Sequence, residues 1–130
     1  MIIDETLLDR VTAEAQASPR LRMNYNFHET LDAPAQRLLN ALEPGTVLPV
    51  HRHRHTAETY VVLRGRLNVD FYNEARQVTA HYELDPTKGV YGVNIPRGQW
   101  HTIEVLCSGT VIFEVKDGPY MPLAPADILE

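Results

Sequence analysis

Residues 45–65 read Gly45-Thr-Val-Leu-Pro-Val-His51-Arg-His53-Arg-His55-Thr-Ala-Glu58-Thr-Tyr60-Val-Val-Leu-Arg-Gly65. Three histidines within five positions demand a chemical reason. Residues two apart on an extended strand project to the same face, so His51 and His53 can aim two imidazoles at one point. Glu58 opens the next strand after a short turn, and two imidazoles with one carboxylate suit a first-row divalent metal. Glu58 is read as a ligand; the alternative is that it accepts a hydrogen bond from a ligand histidine and orients the ring. His55 shares the parity of the pair but lies only three positions before Glu58, so we place it on an exposed rim. A fourth ligand should come from a distant strand, because neighbouring residues alone fix an ion only loosely. His101 is the candidate: it follows Pro96-Arg97-Gly98-Gln99-Trp100, a turn able to deliver a side chain to the start of a strand.

Outward from this stretch, the chain is built of short runs rich in β-formers. They are 36–43, 47–49, 59–63, 67–72, 78–84, 90–95, 102–106 and 110–115, separated by turn signals such as Pro44-Gly45, Arg64-Gly65 and Ser108-Gly109. Such a series of strands predicts an all-β antiparallel sandwich or barrel. The run 36–43 lacks clean alternation and its Leu, Ala and Gln also suit a helix. Ahead of the strands, Asp4 caps a helix over residues 5–17 whose Leu7, Leu8, Val11 and Ala15 share one face, and Ser18-Pro19 ends it. Residues 20–34 show no sustained period and read as an irregular connector. The layout is therefore one structural domain: residues 1–34 packed on a barrel of residues 35–130, whose Pro-rich tail wraps over the barrel or a neighbour.

The intervals resemble those of the cupin superfamily. Gly45, His51, His53, Glu58 and Gly65 satisfy its first motif, and Pro96, Gly98 and His101 match the Pro-x-Gly-x-x-His element of its second. Val105 stands where many members carry Asn, and Val90 where the second motif opens on Gly. The runs QRLLNALEPGT, SPRLRMNYNFH and FEVKDGPY are similar to the WbuC-type cupin metalloproteins, a family associated with bacterial O-antigen gene clusters. The resemblance implies a cupin jelly-roll β-barrel with a short N-terminal α-helix, one bound metal ion, and a homodimer, since many cupins pair. The donor set accepts Fe, Mn, Ni, Co, Cu or Zn alike.

Several classes are disfavoured. A net charge of −5 with scattered Lys and Arg speaks against nucleic acid. No run approaches the roughly 18 apolar residues of a membrane span. MIIDETLLDR carries acids where an export signal needs positive charge, and Cys107 is the sole cysteine, so a cytoplasmic location is expected.

Tyr60, two residues past Glu58, would share its inward face as a hydrogen-bond donor or acid/base group beside the metal, or else fill the core. Tyr60 and Glu58 are thus the catalytic candidates. For a substrate pocket, Asn26 and His28 of the connector could close the barrel mouth. Of Arg37 and Asn40, which lie on opposite faces of a strand, at most one points inward. His81 and the turn residues Arg64 and Arg66 are given no role. An ion with one or two open positions supports Lewis-acid chemistry or water activation on a small polar or anionic molecule, for which a sugar or nucleotide sugar is the candidate. The reaction would be isomerisation, epimerisation or hydrolysis. The competing readings are an iron-dependent dioxygenase, a non-catalytic sensor module and a structural metal.

Overall fold

The computed structural model describes residues 1–129. Helix α1 spans Glu5–Ala17. Asp4 caps it by accepting a hydrogen bond from the Leu7 N–H at 3.0 Å, and Ser18 closes it by donating to the Ala15 carbonyl. The chain continues as β1 (Arg22–Asn26), β2 (Ala35–Leu42), β3 (Val50–His51), β4 (Glu58–Arg64), β5 (Leu67–Tyr72), β6 (Val78–Leu84), β7 (Gly92–Ile95), β8 (Trp100–Val105), β9 (Thr110–Asp117) and β10 (Ile128–Leu129). Two five-stranded antiparallel sheets face each other, ordered β1-β2-β9-β4-β7 and β10-β3-β8-β5-β6. This is the all-β jelly roll with an N-terminal helix that the strand pattern predicts. Among the described residues no helix is long and apolar enough to cross a membrane.

Alternation assigns the faces. Along β4, Glu58, Tyr60 and Val62 are buried while Thr59, Val61 and Leu63 are exposed, and β5 turns Leu67, Val69 and Phe71 inward. Tyr60, Val62, Leu67, Val69 and Phe71 form the barrel core with Leu42, Leu84, Ile95, Ile103, Val105 and Ile112. A second core lies outside the first sheet, where Leu7, Leu8, Val11 and Ala15 of α1 cover Leu39, Ala41 and Val111. Each fully buried Leu or Val there contributes roughly 2 kcal/mol. β2 is consequently covered on both sides, which erases the alternation that marks a half-buried strand and explains its helix-like texture.

Three expectations need correction. Residues 22–26 are a strand, not irregular chain: Met23 and Tyr25 turn toward the helix while Asn24 pairs with Asn40 and Asn26 with Leu38. The expected strand at 47–49 begins instead at Val50, because Pro49 has no N–H to give a ladder. Arg64 is not a merely solvated turn residue, since its guanidinium bonds Glu5, Asp9 and Thr12 and pins α1 to the barrel.

Gly65 and Gly92 are required by space. Gly65 sits at φ +85°, and a Cβ there would lie 2.3 Å from Thr110 Oγ1. Gly92 lets β7 approach β4 so closely that a Cβ would meet the Tyr60 carbonyl oxygen at 2.1 Å. The tail after β9 folds back along the mouth, where β10 pairs with β3 and Asp127 bonds Arg52 and Arg54.

Candidate metal centre

His51 and His101 are directly paired across β3 and β8, so one ladder rung sets two imidazoles from distant sequence side by side, with ring centres 4.3 Å apart. His53 lies two residues past His51, and the turn preceding β8 holds it in place: the Gly98 N–H donates to the His53 carbonyl at 2.9 Å. Glu58 reaches across from the opposite sheet. Its Oε1 is 2.7 Å from His53 Nε2 and 3.7 Å from His101 Nε2. The four donor atoms all lie within 4.8 Å of one another.

The structure supplies its own test of whether a metal fits here. His51 Nδ1 is 2.9 Å from the Pro49 carbonyl and His101 Nδ1 is 2.9 Å from the Gln99 carbonyl. A carbonyl only accepts, so each Nδ1 carries the proton and each Nε2 keeps a lone pair. His101 Nε2 is buried without a hydrogen-bond partner, and Glu58 Oε1 is buried against His53 Nε2. Burial, aided by the nearby charge of His101, lowers the His51 pKa to about 4, and burial likewise lowers that of His101. Burial would raise Glu58, but its hydrogen bond to His53 and the charges of His53, His101 and Lys116 outweigh that and bring it down to about 2. Neutral imidazoles at His51 and His101, with their Nε2 lone pairs free, and an ionised carboxylate at Glu58 are donor states a divalent ion requires.

The sequence missed two neighbours on the inner face of β9. Glu114 pairs with Tyr60, and Lys116 pairs with Glu58. Tyr60 is buried, as an inward phenol should be, beside the carboxyls of Glu58 and Glu114; burial first, then the charges of those two groups, raises its pKa. Burial first, then the charge of Glu58, raises Glu114 to about 7. The barrel thus holds an ionised Glu58 and, near neutrality, a partly protonated Glu114 on either side of one phenol. The parity of Glu114 and Lys116 with Ile112 was the available signal.

The other expected site residues disperse. Asn40 points into the barrel, half-buried, with its Oδ1 unpartnered. Arg37 shares the outward parity of Leu39 and Ala41 and is exposed, so it is no pocket residue. Asn26 is exposed on the edge strand. His28 is buried and accepts a hydrogen bond from the Arg37 N–H at 3.1 Å, which makes it a clamp between strands rather than a lid. None of these four lines the cavity at the barrel mouth, which measures about 270 Å³ and is walled by Arg52, His53, Arg54, His55, Lys116 and Tyr120, among others. His55 is exposed on that rim, as expected. His81 does have a partner, Asp70 across the β5–β6 ladder, on the exposed outer face.

Residues 3–84, well over half of the chain, match the family described as Domain of unknown function (DUF6016). The chain belongs to the DUF6016 family. No curated protein matches it. Among solved structures, this DUF6016 chain is similar to KdgF from Halomonas sp. (15% identity, TM-score 0.62), over 80% of its own length and 84% of that chain. It is similar to the Cnp3 cupin domain of Schizosaccharomyces pombe (11%, 0.59), over 74% of its own length and 64% of that chain. It is similar also to the capsular polysaccharide assembling protein CapF of Staphylococcus aureus (21%, 0.61), over 78% of its own length but only 29% of that chain. At these identities the likeness is one of fold, and the DUF6016 chain has the cupin fold.

Proposed function

We propose that this protein is a cupin metalloprotein of the WbuC type. In this reading it holds one divalent transition ion through His51, His53, Glu58 and His101 and acts on a sugar-like small molecule in bacterial surface-polysaccharide metabolism. One observation carries the metal assignment: the unpartnered lone pair of His101 Nε2, buried among three further donor atoms that all lie within 4.8 Å of one another. A bound ion would supply Lewis acidity toward substrate oxygens. The chain's own residues would handle protons. Beside Glu58, Glu114 near its pKa of about 7 can accept a proton and Tyr60 can donate one. That arrangement is suited to isomerisation, in which a proton leaves one carbon and returns to its neighbour, or to epimerisation, in which it returns to the opposite face of the same carbon. The likeness of fold to a capsular polysaccharide assembling protein supports the choice of pathway. A cytoplasmic location and a homodimer belong to the same reading, the latter supported by the exposed Val61 and Leu63 on the outer face of β4.

The deciding experiment is a Co(II) titration followed by visible absorption. The wild-type chain should bind one equivalent, and His101→Ala should lose at least about 100-fold in affinity while keeping its far-UV circular dichroism. Equal cobalt affinity in the two proteins would remove the metal site, and the enzyme reading with it. If the ion is present but Tyr60→Phe leaves the turnover of activated sugars unchanged, the non-catalytic sensor is the better description.

A further inference from the structure

The chain is acidic overall, yet the walls of its mouth are cationic. Arg52 and Arg54 both spend a guanidinium N–H on Asp127, at 3.1 and 3.0 Å, and Arg52 also lies 4.4 Å over the Trp100 ring. Those contacts hold the tail in place and neutralise the acid that would otherwise repel an anion. Asp117, the other acid that lines this cavity, is exposed and is held in no ion pair among the described residues, so water screens its charge. Lys116 differs from its neighbours: it projects inward opposite Glu58, is only half-buried, and closes no ion pair among the described residues. Its ammonium is 5.9 Å from the centre of the Tyr120 ring, in the same cavity wall as His53. An unpaired cation between an aromatic face and a cluster of metal donors is a place for a ligand carrying negative charge. Size narrows the choice, because about 270 Å³ lies just under the roughly 300–1,000 Å³ typical of pockets for drug-sized ligands. A single sugar ring fits within it, whereas the nucleotide of a nucleotide sugar would hang in solvent.

We propose that the cavity binds an acidic monosaccharide, its carboxylate or phosphate on Lys116, its ring against Tyr120, and its remaining oxygens toward the His51–His53–Glu58–His101 cluster. The proposal rests on the metal-site reading for its second contact only, since Lys116 and Tyr120 act without an ion.

Calorimetric titration of the full chain, loaded with Mn(II) and separately treated with chelator, tests it with glucose, glucuronate and glucose 6-phosphate. At least one charged sugar should bind tenfold or more tightly than glucose, and the two acids together tell which group is preferred. The preference should survive chelation with weakened affinity, so it is read even in a protein that binds no metal. Lys116→Met should abolish the preference and Lys116→Arg retain it, both with unchanged circular dichroism. Equal binding of glucose, no binding of any of the three, or an undiminished preference in Lys116→Met would overturn the proposal.

Discussion

Glu114 shows how burial decides what a carboxyl can do. Its folded pKa of about 7 stands above the ordinary 4.5, so the native state keeps a proton that the unfolded chain releases. Its contribution to stability is fully present below pH 4.5 and is lost as pH rises through 7. Glu114→Gln cannot ionise and escapes that loss. In chelator-treated protein, the stability of the variant relative to wild type should therefore rise by roughly 2–3 kcal/mol between pH 4.5 and 7.5, as measured by urea denaturation. A difference independent of pH would mean that Glu114 ionises as freely as in water. The two paired histidines illustrate the complementary device, in which a backbone carbonyl fixes the tautomer and leaves the other nitrogen to the centre.

Strands and turns place these groups, and at Gly65 a positive φ and a close contact act together. The β4–β5 turn needs its positive φ, and the Thr110 side chain occupies the space a Cβ would take. Gly65→Ala should cost about 2–4 kcal/mol, combining backbone strain with overpacking. Gly89→Ala is the control: φ is +78° but nothing lies within 4 Å, so only the strain of about 1 kcal/mol is expected. Equal shifts in urea midpoint for the two variants would show that the Thr110 contact relaxes freely. β1, β2 and β9 were harder to read than β4 and β5 because α1 covers their outer face. On β9 that covering reverses the usual rule: Val111 and Phe113 pack outward under the helix, while Glu114 and Lys116 point inward to the site.

The composition of the core leads to the expectation that the molecule folds without an ion. Its barrel core of eleven buried residues is contiguous and is built entirely from side chains outside the donor cluster. Metal saturating at about 100 times its Kd adds roughly 2.7 kcal/mol. Chelation should accordingly lower the Tm by about 5–15 °C and leave the far-UV circular dichroism intact. Loss of the β signal on chelation would make the ion structural instead.

His51, His53, Glu58 and His101 were legible before any coordinates, because strand parity and turn chemistry are local and the intervals between donors survive in one dimension. The alternating strands β4 and β5 and the capped helix were legible for the same reason. What lay beyond reach was which face of a two-sided strand is the interior: Glu114, Lys116 and Asn40 point into the barrel, and Arg37 away from it, only because α1 docks on the other side. Likewise, nothing local binds Asp127 to the mouth. That contact joins segments more than seventy residues apart through Arg52 and Arg54, and long-range pairing of this kind exists only once both sheets have closed.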